Sequence, residues 1–322
     1  MDLYEQIIEE SKKITEKIMS LHKEDLYAYS IIFSVPTNHP RSRELSEYRF
    51  MVTSIDTYEF DENSIFLVDE DLKNIVFLKE FLDGKEIYFL KSSEFETKTN
   101  TFADAFISKN LSDKTKKTVV SIGGGLIQNV VGYIAEHTKS DLIYIPTTPL
   151  SMSDSSTGGK IRLNSIKDGK FLKHSYKSFF EPNAIVVDPR FLDTFPDNVL
   201  HVNIAEIIKH GFYQSEDLFD YLLSEKFNIN DKTELLRAIL WTVELKRIAW
   251  NIDSHEMQSA FNKIIRAGHD ISDRLEEESE LSISHGEALL RGLYIQATKE
   301  NHPHLKKMRS LYDKLGLSKY YL

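Results

Sequence analysis

The chain has 322 residues, 41% of them hydrophobic, which is enough for one large or two ordinary domains with filled cores. Fifty acidic against 40 basic residues give a net charge of −10 with no basic stripe interleaved with aromatics, which argues against a nucleic-acid partner. Cysteine is absent, which excludes disulfides, thiolate nucleophiles and thiolate metal sites and suits a reducing compartment, so any metal must take nitrogen and oxygen ligands.

Taken in chain order, the first 19 residues place charges among their apolar positions, and no later apolar run approaches the ~20 residues a membrane span needs. The expectation is a soluble, cytoplasmic protein without a membrane partner. Helical periodicity is predicted over 3–21, 72–82, 102–111 and 126–137. Strands are predicted at 29–35, 48–55, 64–68, 86–90, 118–122 and 142–145, an alternation that predicts a parallel sheet. A transitional stretch, 158–188, carries the apolar run 184–187 between turn signals. From Pro189 onward the pattern is almost wholly helical, with apolar residues at three- and four-residue spacing through 199–212, 218–223, 235–250, 261–275 and 287–297. The expected fold class is α/β plus all-α: a parallel-sheet domain over 1–188 and a helical domain over 189–322, without repeats or a flexible linker, and with a ligand cleft between the two.

Three consecutive glycines, Gly123, Gly124 and Gly125, join strand 118–122 to the following helix. Lacking Cβ atoms, they allow backbone N–H groups and a helix N-terminus to approach a pyrophosphate. On their own they fit a tight βα turn equally well, because the spacing is not G-x-G-x-x-G. The loop after strand 142–145 adds Thr147, Thr148, Ser151, Ser153, Asp154, Ser155, Ser156, Thr157 and Lys160 at a strand's carboxyl end, where ligands of open α/β sheets sit. Together the two loops predict a bound nucleotide.

In the helical half, Glu206, His269 and His285 offer two imidazoles and a carboxylate, a donor set suited to zinc or cobalt with positions left open for substrate. They come from separate helices, so spacing does not prove convergence, and either histidine alone is more often an ordinary core or surface residue. Lys209 and His210 share the Glu206 face, as a polar pocket wall or a solvated stripe would. His302 and His304, flanking Pro303, read as a helix-end surface feature.

Six segments in order, GGGLIQNVVGYIA, IPTTPLSMSDSSTGGK, PNAIVVDP, AEIIKHG, GHDISDRLE and SHGEALLRG, resemble the dehydroquinate synthase family within the sugar-phosphate cyclases, over residues 65–317. The 16-residue interval from His269 to His285 equals the family's interval between its two histidine ligands. The resemblance implies a Rossmann-like NAD-binding domain, a helical domain, and a divalent metal, zinc or cobalt, held by Glu206, His269 and His285. It implies that Gly123, Gly124 and Gly125 hold the NAD pyrophosphate and that Asp69 approaches the adenosine ribose. Thr147, Thr148 and Asp154 would surround the nicotinamide, with Lys160 between cofactor and substrate. Lys98 matches the adenine-side lysine, with Glu94 or Glu96 as its displaced companion. Lys209 and Lys246 fall in the substrate pocket, Lys246 with a two-residue uncertainty in alignment. Lys160, Lys209, Lys246 and Asp154 are thus the expected catalytic group, and a homodimer is expected.

The implied activity is cyclisation of a phosphosugar by transient oxidation, β-elimination of phosphate, reduction and intramolecular aldol closure, a phosphate-eliminating carbon–oxygen lyase chemistry. Several positions depart from the family pattern. Asp273 replaces its second histidine and His174 an asparagine, while Asn262 and Arg266 stand as if an arginine and an asparagine had exchanged places. The sequence stops at GLSKYYL, before a D-K-K segment that supplies a phosphate-binding lysine in the family. Arg162, Lys173, His174, Lys177 and Arg266 are candidate replacement cations, with a solvated basic loop at 158–180 as the equal alternative. Two other functions stay open: a metal-dependent polyol or glycerol-phosphate dehydrogenase, and an NAD-binding relative without turnover.

Overall fold

The computed structural model describes residues 2–35, 45–111, 117–252 and 259–321. In chain order, α1 (Leu3–Met19) and α2 (Lys23–Tyr27) precede β1 (Ser30–Ser34), β2 (Glu47–Val52) and β3 (Ile65–Asp69). Then come α3 (Val76–Leu82), β4 (Glu86–Leu90), α4 (Asn100–Asn110), β5 (Thr118–Gly123), α5 (Gly125–Thr138) and β6 (Asp141–Pro146). β7 (Lys160–Lys167), β8 (Lys170–Phe179) and β9 (Ala184–Val187) complete the strands. The helices α6 (Arg190–Thr194), α7 (Asp197–Leu200), α8 (Ala205–Tyr213), α9 (Glu216–Leu223) and α10 (Lys232–Ile252) follow. The last four are α11 (Ser259–Ile264), α12 (His269–Glu278), α13 (His285–Lys299) and α14 (Leu305–Lys314). The chain forms two compact units, one of Tyr27–Thr194 and one of Met1–Leu26 with Phe195–Leu322.

The first unit is built on a seven-stranded sheet in the order β1-β2-β9-β6-β5-β3-β4, parallel except for the β1–β2 pair. β5 and β9 are buried at every position, as strands covered on both faces must be, and this explains the unbroken apolar sequence of β9 and the mostly apolar one of β5. The chain leaves β3 toward the β4 edge but leaves β5 toward β6 on the opposite side, so the connections diverge between two adjacent strands. That divergence opens a crevice at the carboxyl ends of β3 and β5, where Asp69 and Gly123 stand.

The stretch 158–180, anticipated as a transitional segment or solvated basic loop, is the antiparallel hairpin β7–β8, with an irregularity between Leu163 and Ser165. Asp168 and Gly169 close it with φ of 51° and 73°, the left-handed pair of a tight hairpin turn.

The second unit is helical and includes α1, which corrects the expected 1–188 domain. Ile7, Ile14 and Ile18 form the buried stripe of α1. Its polar edge is tied to the same unit: Thr15 Oγ1 donates to Asp217 at 2.6 Å, Lys17 pairs with Glu244, and Arg237 donates to the Ile18 and Leu21 carbonyls at 2.8 and 2.9 Å. The run anticipated as one helix over 261–275 breaks at Gly268, whose φ of +75° ends one turn and starts α12. α14 is a further helix of this unit, burying Met308, Leu311 and Tyr312. Among the described residues no helix is long and apolar enough to cross a membrane.

Candidate active site

α8 begins at Ala205, so Glu206 and Lys209 lie one turn apart on a helix whose nine residues are all buried. α12 starts with His269 and α13 with His285. These two helices approach closely because Gly268 and Gly292 face each other: a Cβ on Gly292 would lie 2.4 Å from the Gly268 carbonyl oxygen. The result is convergence. His269 Nε2 and His285 Nε2 each lie 3.5 Å from Glu206 Oε1, and one ligand atom from each of the three residues falls within 4.8 Å of the others. The Glu206 side chain is 2% exposed, so its charge must be compensated locally.

Lys209 supplies part of that compensation. Its fully buried ammonium pairs with Glu206 Oε2 and donates to the Ile265 carbonyl at 2.9 Å. Burial by itself would raise the Glu206 carboxyl, but the Lys209 ammonium and the two imidazoles hold it well below the usual carboxylate range. Burial pushes His269 down. At His285 burial acts in the same direction, but hydrogen bonds to Glu206 and Glu276 outweigh it and raise the imidazole to about 9. A carboxylate held ionised beside two imidazoles that both direct Nε2 at it fits a divalent cation of the zinc or cobalt type, and such an ion would relieve the buried negative charge.

The sheet unit presents a second constellation. α5 has Gly124 as its N-cap, a residue with no side chain to take the N–H groups of the first turn. A Cβ added to Gly124 would meet only Thr148 Cγ2 at 3.4 Å and Thr148 Oγ1 at 3.8 Å, so the glycine keeps open a space that a side chain would fill. Asp69 ends β3 beside this turn and accepts from Ser92 Oγ at 2.7 Å. Thr147 N–H donates to the Gly123 carbonyl at 3.2 Å, which draws the loop after β6 against the glycine turn. Thr148 Oγ1 donates to Ser151 Oγ at 2.9 Å and opens a π-helical turn over Ser151–Ser155 that carries Asp154; Lys160 begins β7. An uncapped helix start, a Cβ-free bend and a neighbouring strand-end carboxylate fit a dinucleotide.

Lys98 is almost buried, and its Nζ donates to Glu94 Oε1 at 2.9 Å. This decides its companion: Glu96 pairs with Lys91 instead, at 2.8 Å, while Asn164 Nδ2 donates to Glu94 Oε2 at 2.9 Å. His210, a candidate pocket wall, is buried, with Gln214 Oε1 at 2.6 Å from its Nδ1 and a ring nitrogen within 4.8 Å of a Glu206 oxygen. His302 packs on Phe212 at 4.3 Å between ring centroids, and His304 Nε2 lies 3.6 Å from Glu216. Lys246 is half-exposed on α10. Of the departing residues, Arg266 is held by Asp270 at 2.5 Å and Asp273 at 3.5 Å. Asn164 Oδ1 accepts from the His174 N–H, and His174 adopts φ 50° in β8. Sequence reasoning missed Glu276, which lies 2.8 Å from His285 Nδ1. Its only signal was a glutamate two helical turns after His269.

Residues 90–202 match the family model described as 3-dehydroquinate synthase N-terminal, and residues 203–318 match 3-dehydroquinate synthase C-terminal. The 3-dehydroquinate synthase of Clostridium tetani (strain Massachusetts / E88) is 28% identical over 282 residues, covering 82% of this chain and 74% of that protein. Alignments to further 3-dehydroquinate synthases cover between 49% and 66% of those proteins. A solved 2-deoxy-scyllo-inosose synthase, complexed with carbaglucose-6-phosphate, NAD+ and Co2+, aligns with a TM-score of 0.71 at 19% identity, covering 90% of this chain and 82% of that one. The 2-epi-5-epi-valiolone synthase of Streptomyces hygroscopicus subsp. jinggangensis 5008, with NAD+ and Zn2+ bound, aligns with a TM-score of 0.67 at 20% identity, covering 79% and 75%.

Proposed function

This chain belongs to the 3-dehydroquinate synthase family, and from that premise we propose that it is an NAD- and divalent-metal-dependent sugar-phosphate cyclase. The observation that carries the proposal is the convergence of His269 Nε2 and His285 Nε2 on Glu206 Oε1, each at 3.5 Å. Glu206, His269 and His285 would hold the metal, while Gly123–Gly125 and Asp69 would hold NAD by its pyrophosphate and ribose. When bound, the metal supplies Lewis acidity toward a substrate hydroxyl and ketone, and NAD accepts and returns a hydride.

The roles of the protein's own groups follow from their placement. Glu206 stays ionised because Lys209 neutralises its second oxygen, so the site binds a cation without first losing a proton from the carboxyl. Both imidazoles direct Nε2 toward the carboxylate, which leaves the other faces of the site for substrate oxygens. Asp154, on the loop after β6, and Lys160, at the start of β7, are the proposed acid–base and charge-stabilising groups toward substrate, with Lys246 as a further cation. The reaction conserves its cofactor: oxidation of a secondary alcohol acidifies the adjacent C–H, phosphate leaves by β-elimination, the ketone regains the hydride, and an intramolecular aldol step closes the ring. As in the family, the protein is proposed to act in the cytoplasm as a homodimer.

A panel of phosphosugars offered with NAD and zinc or cobalt tests this reading. Cyclisation releases inorganic phosphate without accumulating NADH. Steady NADH formation would identify a dehydrogenase instead, and binding of NAD and metal without either product would identify a relative that has lost turnover.

A further inference from the structure

Both imidazoles of the triad have their second ring nitrogen engaged. His269 Nδ1 lies 3.2 Å from the Ala267 carbonyl, and His285 Nδ1 lies 2.8 Å from Glu276 Oε1. A carbonyl and an ionised carboxylate only accept, so each Nδ1 must carry a proton, and each Nε2, the atom aimed at Glu206, is the nitrogen left to a metal once any proton on it has gone. The two anchors differ in charge: His269 is held by a neutral carbonyl, His285 by a carboxylate that is 7% exposed.

We infer that Glu276 is a positioning residue of the metal centre, fixing the tautomer and ring plane of His285 and making it the stronger donor of the two imidazoles. The inference rests on the metal reading above. The backbone puts Glu276 in place. It lies seven residues, about two turns, after His269 on α12. Beyond it the chain reverses through Glu280 and Leu281, both at positive φ, and the Leu281 N–H closes on the Glu276 carbonyl at 2.8 Å. α13 then starts at His285 behind a capping box of Ser284 and Glu287. His285 is therefore the first residue of a 15-residue helix, where the positive end of the helix dipole weakens an imidazole as a donor. A buried carboxylate on Nδ1 opposes that effect, and carboxylate–histidine–metal arrangements change metal affinity about 10- to 100-fold when the carboxylate is lost.

The test uses the full chain. Co2+ is titrated by its visible d–d absorption, with zinc competition, into wild type, Glu276→Leu and Glu276→Gln. Glu276→Leu is expected to bind Co2+ about 10- to 100-fold more weakly with shifted d–d bands. Glu276→Gln, which keeps an acceptor for Nδ1–H but no charge, is expected to fall between the two, a partial rescue that loss of packing alone does not produce. Wild-type affinity and spectrum in both variants would overturn the inference. If Glu276→Leu does not fold, an unchanged Kd and spectrum in Glu276→Gln overturns it equally. A wild-type protein that takes up no Co2+ would instead overturn the metal reading itself.

Discussion

Replacing Lys209 by methionine removes a buried ammonium while keeping most of its apolar length. In the metal-free protein the substitution removes the lysine partner of the buried Glu206 and leaves the two imidazoles 3.5 Å away. Removing one partner of a buried ion pair costs about 3–5 kcal/mol, because the remaining charge loses its compensation. His285, raised to about 9, stays protonated at neutral pH and offsets part of that loss, so the low end, about 3 kcal/mol, is expected. A divalent ion supplies the missing positive charge: at a hundred times its Kd it stabilises the folded state by about 2.7 kcal/mol, nearly cancelling the defect. The ion also no longer competes with an ammonium for Glu206, so metal should stabilise Lys209→Met more than wild type. Both tryptophans, Trp241 and Trp250, are buried in α10, so fluorescence during urea unfolding reports on the helical unit. A metal-free Lys209→Met protein with the wild-type midpoint and slope would refute the argument that Glu206 depends on this pair.

Other outcomes follow from the same geometry. Alanine at Glu206, His269 or His285 should abolish stoichiometric zinc or cobalt uptake, measured by elemental analysis after gel filtration. Because His285 is raised to about 9 from 6.5, its proton contributes stability to the metal-free protein that is complete below about pH 6.5 and lost as pH rises through about 9. Metal binding at pH 7.5 should accordingly release close to one proton, read by calorimetry in buffers of different ionisation enthalpy, and metal affinity should fall as pH is lowered. Gly124→Ala has ordinary φ of −77° and a tolerable 3.4 Å contact, so it should fold normally yet bind NAD at least about tenfold more weakly, by fluorescence titration. Gly292→Ala places a Cβ 2.4 Å from the Gly268 carbonyl oxygen, forcing α12 from α13; a loss of about 2–3 kcal/mol together with weakened metal binding is expected.

What the sequence made legible depended on whether the signal was local. β5, the three glycines and α5 are contiguous, and their meaning follows from backbone sterics, so residues 118–137 could be read without knowing any partner. The parallel strands were legible for the same reason: burial on both faces leaves continuous apolar runs at 65–68 and 184–187. The β7–β8 hairpin is hidden because its lysines and half-exposed positions look like a loop, and the Asp168–Gly169 turn pair lies between strands that are not apolar enough to mark it as a hairpin. The stripe of α1 was visible, but an amphipathic stripe does not name the surface it covers, and the ties from Thr15 and Arg237 span more than 200 residues of sequence.

The metal triad shows the same limit and how a fold overcomes it. Glu206 lies 63 residues before His269 and 79 before His285, so chain spacing alone carries no geometry. Three local devices then remove the freedom: a buried α8 that points Glu206 inward, Gly268 at φ +75° starting α12 on His269, and a capping box starting α13 on His285. Placing each histidine at the first position of its helix, beside a close glycine–glycine approach, turns two helix starts into one site. Glu276 is dictated by that arrangement rather than by its own neighbours, because only the antiparallel return of α13 brings His285 within 2.8 Å of it. Residues that serve a ligand through another side chain are therefore the last to be legible, since their partner is defined only once the packing is.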